Sequence, residues 1–139
     1  MTLVLDTNVW LEWFVFDDPR VRPLVHRIEG ADRSRVLATT PMLAEFAAVI
    51  ARPAFGLSPQ RIVELCERQR ARVEPMPDAP DCRLACTDPD DRMFIDLAVA
   101  HRADWLITRD RALLRLRRAA RRRFGLAIGT PDDWTAACL

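Results

Sequence analysis

"LVLDTN", residues 3–8, decides how this chain is read. Leu3, Val4 and Leu5 make a short apolar run, the pattern of a buried strand. Three polar side chains, Asp6, Thr7 and Asn8, follow at once. A carboxylate carried straight out of a core is costly unless something compensates its charge. The rest of the sequence has to supply that compensation.

Outward from this stretch, strand-like and helix-like runs alternate. The sequence predicts strands at Thr2–Leu5, Arg35–Thr39, Trp105–Thr108 ("DWLIT" with Asp104) and Leu126–Gly129, with a weak one at Val73–Met76. It predicts helices over Val9–Phe16 and Arg20–Glu29, and a third that runs up to Pro53. That third helix starts with Thr40 as N-cap and Pro41 at its first position. Residues 58–72 repeat the start with Ser58 and Pro59. A Pro-rich loop, 75–82, leads to a helix capped by Asp88. "RALLRLRRAARRR" is helical and basic, and "TPDDWTAACL" is a last capped helix. Strands spaced by helices argue for an α/β fold, a parallel sheet covered on both faces. Ligands of such sheets bind outside the carboxyl ends of the strands. Asp6 is placed at such an end.

The totals agree. The chain has 139 residues, 50% hydrophobic and 29% charged, which fits a single domain over 1–139 and excludes a disordered tail. No internal repeat, low-complexity linker or domain boundary interrupts it. No apolar run approaches transmembrane length. No basic-then-apolar leader is read at the start, since Asp6 arrives too soon. Net charge is +1, so global charge names no partner. The basic residues are all Arg, for which genomic composition is the simpler account. Cys66, Cys82, Cys86 and Cys138 lack the spacing of a zinc site or a disulfide framework. Reduced thiols in a cytoplasmic protein are the expectation. His26 and His101 read as surface or packing residues.

Four carboxylates share an unusual placement. Asp6 closes the first strand, and Asp110 follows "DWLIT" after Thr108 and Arg109. Both should emerge at one edge of a parallel sheet. Glu45 is the only charge between Pro41 and Ala51, with Pro41, Met42, Ala48 and Val49 as its helical neighbours. Asp91 has Phe94, Ile95 and Ala98 as its own. Asp96 is turned roughly 140° from Asp91 at the helical period and is expected to pair with Arg92. Each acid has a plainer reading. Asp6 or Asn8 caps the next helix, Asp110 caps the basic helix, and Asp88 and Asp91 form a capping-box-like pair around Pro89. Glu45 would then be half-exposed on its helix. Caps do not explain Glu45, nor why acids recur at strand ends. Like charges packed together cannot all ionise unaided. Mg²⁺ or Mn²⁺ takes hard oxygen ligands, and the natural reaction is hydrolysis of a phosphodiester. Thr7, Asn8 and Thr108 are placed to orient these acids or waters from behind.

"VLDTNV", "TTPMLAEF", "DPDDRMFIDLAVAHRADWLITRD" and "GTPDDW" together resemble the PIN-domain family, and within it the VapC-like toxins of bacterial toxin–antitoxin pairs. The resemblance spans essentially the whole chain. It implies a three-layer α/β/α sandwich with a central, mostly parallel sheet. It implies an Mg²⁺- or Mn²⁺-dependent endoribonuclease acting on RNA, commonly a homodimer neutralised by a cognate antitoxin. Carried over, the catalytic acids are Asp6, Glu45, Asp91 and Asp110, with Asp6, Asp91 and Asp110 as metal ligands. Asp88, Asp90 and Asp96 stay open as further contributors, as does the choice between one metal and two. The chain departs from the pattern at Arg92, where close relatives often carry an acid or amide. It departs again in the aromatic run of Trp10, Trp13, Phe14 and Phe16, read as core or dimer interface.

Residues 109–123 hold eight Arg and one acid, Asp110. Such a run is usually a solvated helix face. Arg109 and Arg111 flank Asp110 and are the candidates for RNA phosphate contact. The distal cluster, Arg117 to Arg123, suits nucleic acid or an acidic antitoxin tail. The alternative to a nuclease is a catalytically weak PIN-fold module that grips RNA or a partner, with Arg92 as its support. A phosphohydrolase with an aspartyl nucleophile would need a second Asp two residues after Asp6, which "LDTN" lacks.

Overall fold

The strand that opens the chain, β1 (Thr2–Leu5), becomes the centre of the sheet. A computed structural model describes residues 1–31, 34–86 and 88–139. Around β1 lie β2 (Arg35–Ala38), β3 (Glu74–Pro75), β4 (Trp105–Ile107) and β5 (Ala127–Gly129). All pairings are parallel, and the order is β3-β2-β1-β4-β5. The chain first builds outward through β2 to β3, then returns to the other side of β1 for β4 and β5. The order therefore reverses between β1 and β4, the place where such folds bind ligands.

Side chains alternate along each strand, and both faces are buried. Leu3, Leu5, Val36 and Ile107 pack one way, and Val4, Leu37, Leu106 and Ile128 the other. This makes the strands near-continuous apolar runs, as two-sided burial requires. On the first face lie α1 (Thr7–Phe14), α2 (Arg22–Glu29), α4 (Pro59–Arg72) and α8 (Pro131–Cys138). On the second lie α5 (Arg92–Ala100), α6 (Arg111–Leu114) and α7 (Arg117–Phe124). Helix α3 (Thr40–Ile50) serves both, with Phe46 and Ile50 in one cluster and Met42 in the other. The result is the expected α/β/α sandwich.

The differences from the sequence reading are local. Helix α1 starts at Thr7 and ends at Phe14, two residues earlier than predicted at each end. The predicted helix over Arg20–Glu29 splits into a 3₁₀ turn, Pro19–Val21, and α2, because Pro23 donates no backbone N–H. The N-cap of α3 is Thr39 rather than Thr40. The basic stretch breaks into α6 and α7. Pro75 sits in β3, an edge strand, where a missing N–H faces solvent. Of the aromatic run, Trp10 and Phe14 are core, Trp13 stacks on Trp10, and Phe16 is exposed. All four cysteines are free thiols. Among the described residues, no helix is long and apolar enough to cross a membrane.

Candidate active site

Asp6 keeps its backbone in the sheet, since its N–H donates to Ile107 O at 3.0 Å. It then serves as the N-cap residue of α1, but its side chain caps nothing. The carboxylate instead accepts a 2.6 Å hydrogen bond from Thr108 Oγ1, across the β1–β4 seam. The cap reading of Asp6 therefore fails at the side chain. At 4% exposure the charge is poorly solvated, and Glu45 and Asp110 lie close enough to repel it. Burial first, then these neighbours, push its pKa up to about 6 against the opposing Thr108 bond.

Thr108 ties two acids together. Its Oγ1 donates to Asp6 and accepts from the Asp110 backbone N–H at 2.9 Å. Asp110 Oδ1 accepts from Ala112 N at 2.7 Å, which caps α6. Cap and site are not alternatives here, because a carboxylate has a second oxygen. Asp91 arrives from the other side, at the end of the 3₁₀ turn Pro89–Asp91 that precedes α5. The carboxyls of Asp91 and Asp110 stand close enough to repel each other. Burial, then the charges of Asp110, Asp6 and Asp88, raise Asp91 to about 7. Asp91 is 8% exposed, and its Oδ2 is buried with no hydrogen-bond partner among the described residues. Glu45 enters from α3, where Thr7 Oγ1 donates to its Oε1 at 2.8 Å.

So Asp6, Glu45, Asp91 and Asp110, from four separate segments, meet at the carboxyl edge between β1 and β4. Thr7 and Thr108 sit behind them as hydrogen-bond donors, and Asn8 is exposed on α1. Asp88 is spent on capping, accepting from Asp90 N at 3.0 Å, and Asp90 is exposed. Asp96 turns away, to accept from Cys82 N at 2.9 Å. It does not pair with Arg92, which reaches outward to Asp81 while Asp96 points into the fold.

Arg109, beside Asp110 in sequence, is turned to Glu12 of α1, and its Nη1 lies 3.8 Å from Asp132 Oδ2. This leaves Arg111 as the exposed member of the flanking pair. Glu12 is a residue that the sequence reading missed. It is 8% exposed and is the only acid in the run Val9–Phe16. The signal that picked out Glu45, a lone charge on an apolar stripe, marked Glu12 too.

Among the described residues, one donor group has ligand atoms within 4.8 Å of one another: Asp81, Cys82 and Asp96. Its donors are already committed. Arg92 holds Asp81, the Cys82 N–H holds Asp96, and burial pushes the Cys82 thiol up to about 11, so it stays protonated. Asp6, Asp91 and Asp110 are a more open set with free oxygens and, among the described residues, no cationic side chain paired to them. An orphaned Asp91 oxygen among mutually repelling carboxylates fits a hard divalent ion completed by water.

Residues 2–112 match the PIN-domain family. The chain belongs to the PIN-domain family. Solved structures that match this fold include two VapBC complexes. One is VapBC2 from Rickettsia felis bound to a DNA fragment from its promoter, at 14% identity and TM-score 0.64, covering 92% of this chain and 97% of that one. The other is VapBC-1 from nontypeable Haemophilus influenzae, at 17% identity and TM-score 0.59, covering 94% and 98%. Comparison with the curated proteins finds no match.

Proposed function

We propose that this PIN-domain chain is a metal-dependent endoribonuclease and the VapC-like toxin of a toxin–antitoxin pair. One observation carries the reading: four carboxylates converge at the β1–β4 switch point, and one of their buried oxygens, Asp91 Oδ2, has no partner among the described residues. The likeness to VapBC structures supports the toxin half. Asp6, Asp91 and Asp110 would hold Mg²⁺ or Mn²⁺. Such an ion supplies positive charge to the phosphoryl group and makes water a stronger acid. Glu45, held by Thr7, would take the proton from an attacking water. Thr108 fixes the Asp6 carboxylate and the Asp110 backbone in one geometry, so the donors need not reorganise when RNA binds. The cognate antitoxin would restrain the enzyme by covering this edge.

Residues 1–139 are read as one PIN-like domain, cytoplasmic and homodimeric. Exposed Phe16, 6.0 Å from Phe55 between ring centroids, is the apolar surface that supports a dimer. The weak-module alternative leaned on Arg92. Arg92 stands where relatives often carry an acid or amide; its guanidinium pairs with Asp81 rather than with the four acids, and the Mn²⁺ arm of the test below separates the two readings. The test is RNA cleavage with EDTA, then with Mn²⁺ restored, for the wild type and Asp6→Asn. Metal-restored cleavage lost in the variant is the expected result. Cleavage at the wild-type rate by Asp6→Asn would refute the reading.

A further inference from the structure

The arginines of α6 and α7 are not absorbed by the site above. Arg111, Arg115, Arg117, Arg118, Arg121, Arg122 and Arg123 are all exposed, and no acid lies between Arg111 and Phe124. No ion pair among the described residues uses any of the seven. The sequence has 21 basic and 20 acidic residues, so outside this strip 14 basic residues face 20 acids. The near-neutral total hides a strongly separated charge.

The strip is joined to the acidic edge. Asp110 caps α6, so Arg111 begins at the rim of the site. From there α7 packs along β5 toward the opposite end of the sheet. Two adjoining hollows follow the path. The first, about 360 Å³, is lined by Arg111, Leu114, Arg115, Arg117 and Arg118. The second, about 380 Å³, shares Arg117 and Arg118 and adds Arg121, Arg122 and half-buried Trp105. Each thus has guanidinium walls and an apolar patch, with an aromatic ring in the second.

We propose that the α6–α7 strip is a phosphate track for single-stranded RNA, holding the strand where it runs on from the acidic edge. The proposal rests on the nuclease reading of that edge. Four carboxylates repel a polyanion, and one divalent ion offsets only the charge at the scissile phosphate. A strand that enters therefore needs cations beside the notch, and Arg forks bind phosphate in two-point fashion. Alternating guanidinium and apolar surface suits a flexible strand, whose sugars and bases settle between its phosphates. An acidic peptide would use the charges but gains nothing from continuity with the acids.

The test measures binding of a fluorescently labelled single-stranded RNA in EDTA, so that neither metal nor cleavage enters. Anisotropy is followed from about 50 to 200 mM salt for the wild type, Arg117→Ala/Arg118→Ala, Arg121→Ala/Arg122→Ala and the exposed control Arg52→Ala. Each double variant should bind about ten-fold or more weakly, with a salt slope lower by about 1.4, at 0.7 per lost phosphate contact. Arg52→Ala should match the wild type. Thermal melts confirm folding, and Mn²⁺ binding should persist in both double variants, which separates failure of the track from failure of the metal site. Wild-type RNA affinity in both double variants would overturn the proposal. So would displacement of the RNA by polyglutamate of equal charge at equal concentration, which would assign the strip to an acidic protein segment.

Discussion

Replacing Asp6 by Asn should stabilise the metal-free protein at neutral pH, although it removes a native side-chain charge. The folded pKa of Asp6 is about 6 against an ordinary 3.8. A raised carboxyl pKa favours the folded state below the ordinary value, and that advantage is lost as pH rises through 6. Above both values the buried charge costs about 3 kcal/mol, at about 1.4 kcal/mol per tenfold change in proton affinity. Asn removes that cost and keeps an oxygen for Thr108, but its NH₂ must find a new partner, which gives back about 1 kcal/mol. The net gain is about 2 kcal/mol, or about 7 °C in Tm for a chain of this size. At pH 4, where the folded Asp6 carboxyl is protonated, that gain should be gone, and the amide's partner cost should leave the variant slightly less stable than the wild type. The assay is thermal unfolding in EDTA at pH 4 and pH 7.5, followed by Mn²⁺ titration at pH 7.5. Mn²⁺ at a hundred times its Kd should stabilise the wild type by about 2.7 kcal/mol and leave Asp6→Asn unmoved, closing the gap. An Asn variant that melts at or below the wild type at pH 7.5 in EDTA, or a gap independent of pH, would refute the electrostatic account.

Three further predictions follow from the same contacts. Thr108→Val removes the donor to Asp6 and the acceptor for the Asp110 N–H together. It should cost about 1–3 kcal/mol in chemical denaturation and shift the acidic limb of the pH–rate profile upward, while Thr108→Ser restores both. Arg109→Leu leaves Glu12 as a buried, unpaired charge and should destabilise by about 3 kcal/mol, most of it recovered in a Glu12→Gln/Arg109→Leu double mutant measured by the same unfolding assay. Trp134→Ala, at a fully buried ring of α8, should lower stability by about 3–5 kcal/mol without changing the Mn²⁺ affinity of the refolded protein.

The acids were legible one at a time for different reasons. Asp6 and Asp110 stood out because each follows an apolar strand, and the parallel order places strand ends at one edge. Glu45 stood out as a charge on an apolar helix stripe. Asp91 was harder, since three other acids lie within five residues of it. Its distinction from Asp88, Asp90 and Asp96 came from which of them are capped, exposed or turned away. Arg109 was read as a candidate phosphate contact beside Asp110; its pairing with Glu12 was not legible, because the two are 97 residues apart in sequence.

What the sequence determined alone is what local chemistry dictates: the order of strands and helices, the two-sided burial of the sheet, the Ser58 and Thr130 caps, and the residue types able to hold a hard cation. Periodicity and capping act over a few residues, so they are written in the order of the chain. Which oxygens stay free depends on partners brought from elsewhere. Thr108 reaches Asp6 across the β1–β4 seam, Arg92 goes to Asp81, and Cys82 takes Asp96. A hydrogen bond consumes an acceptor only at contact distance, and those distances exist only once the tertiary fold has closed.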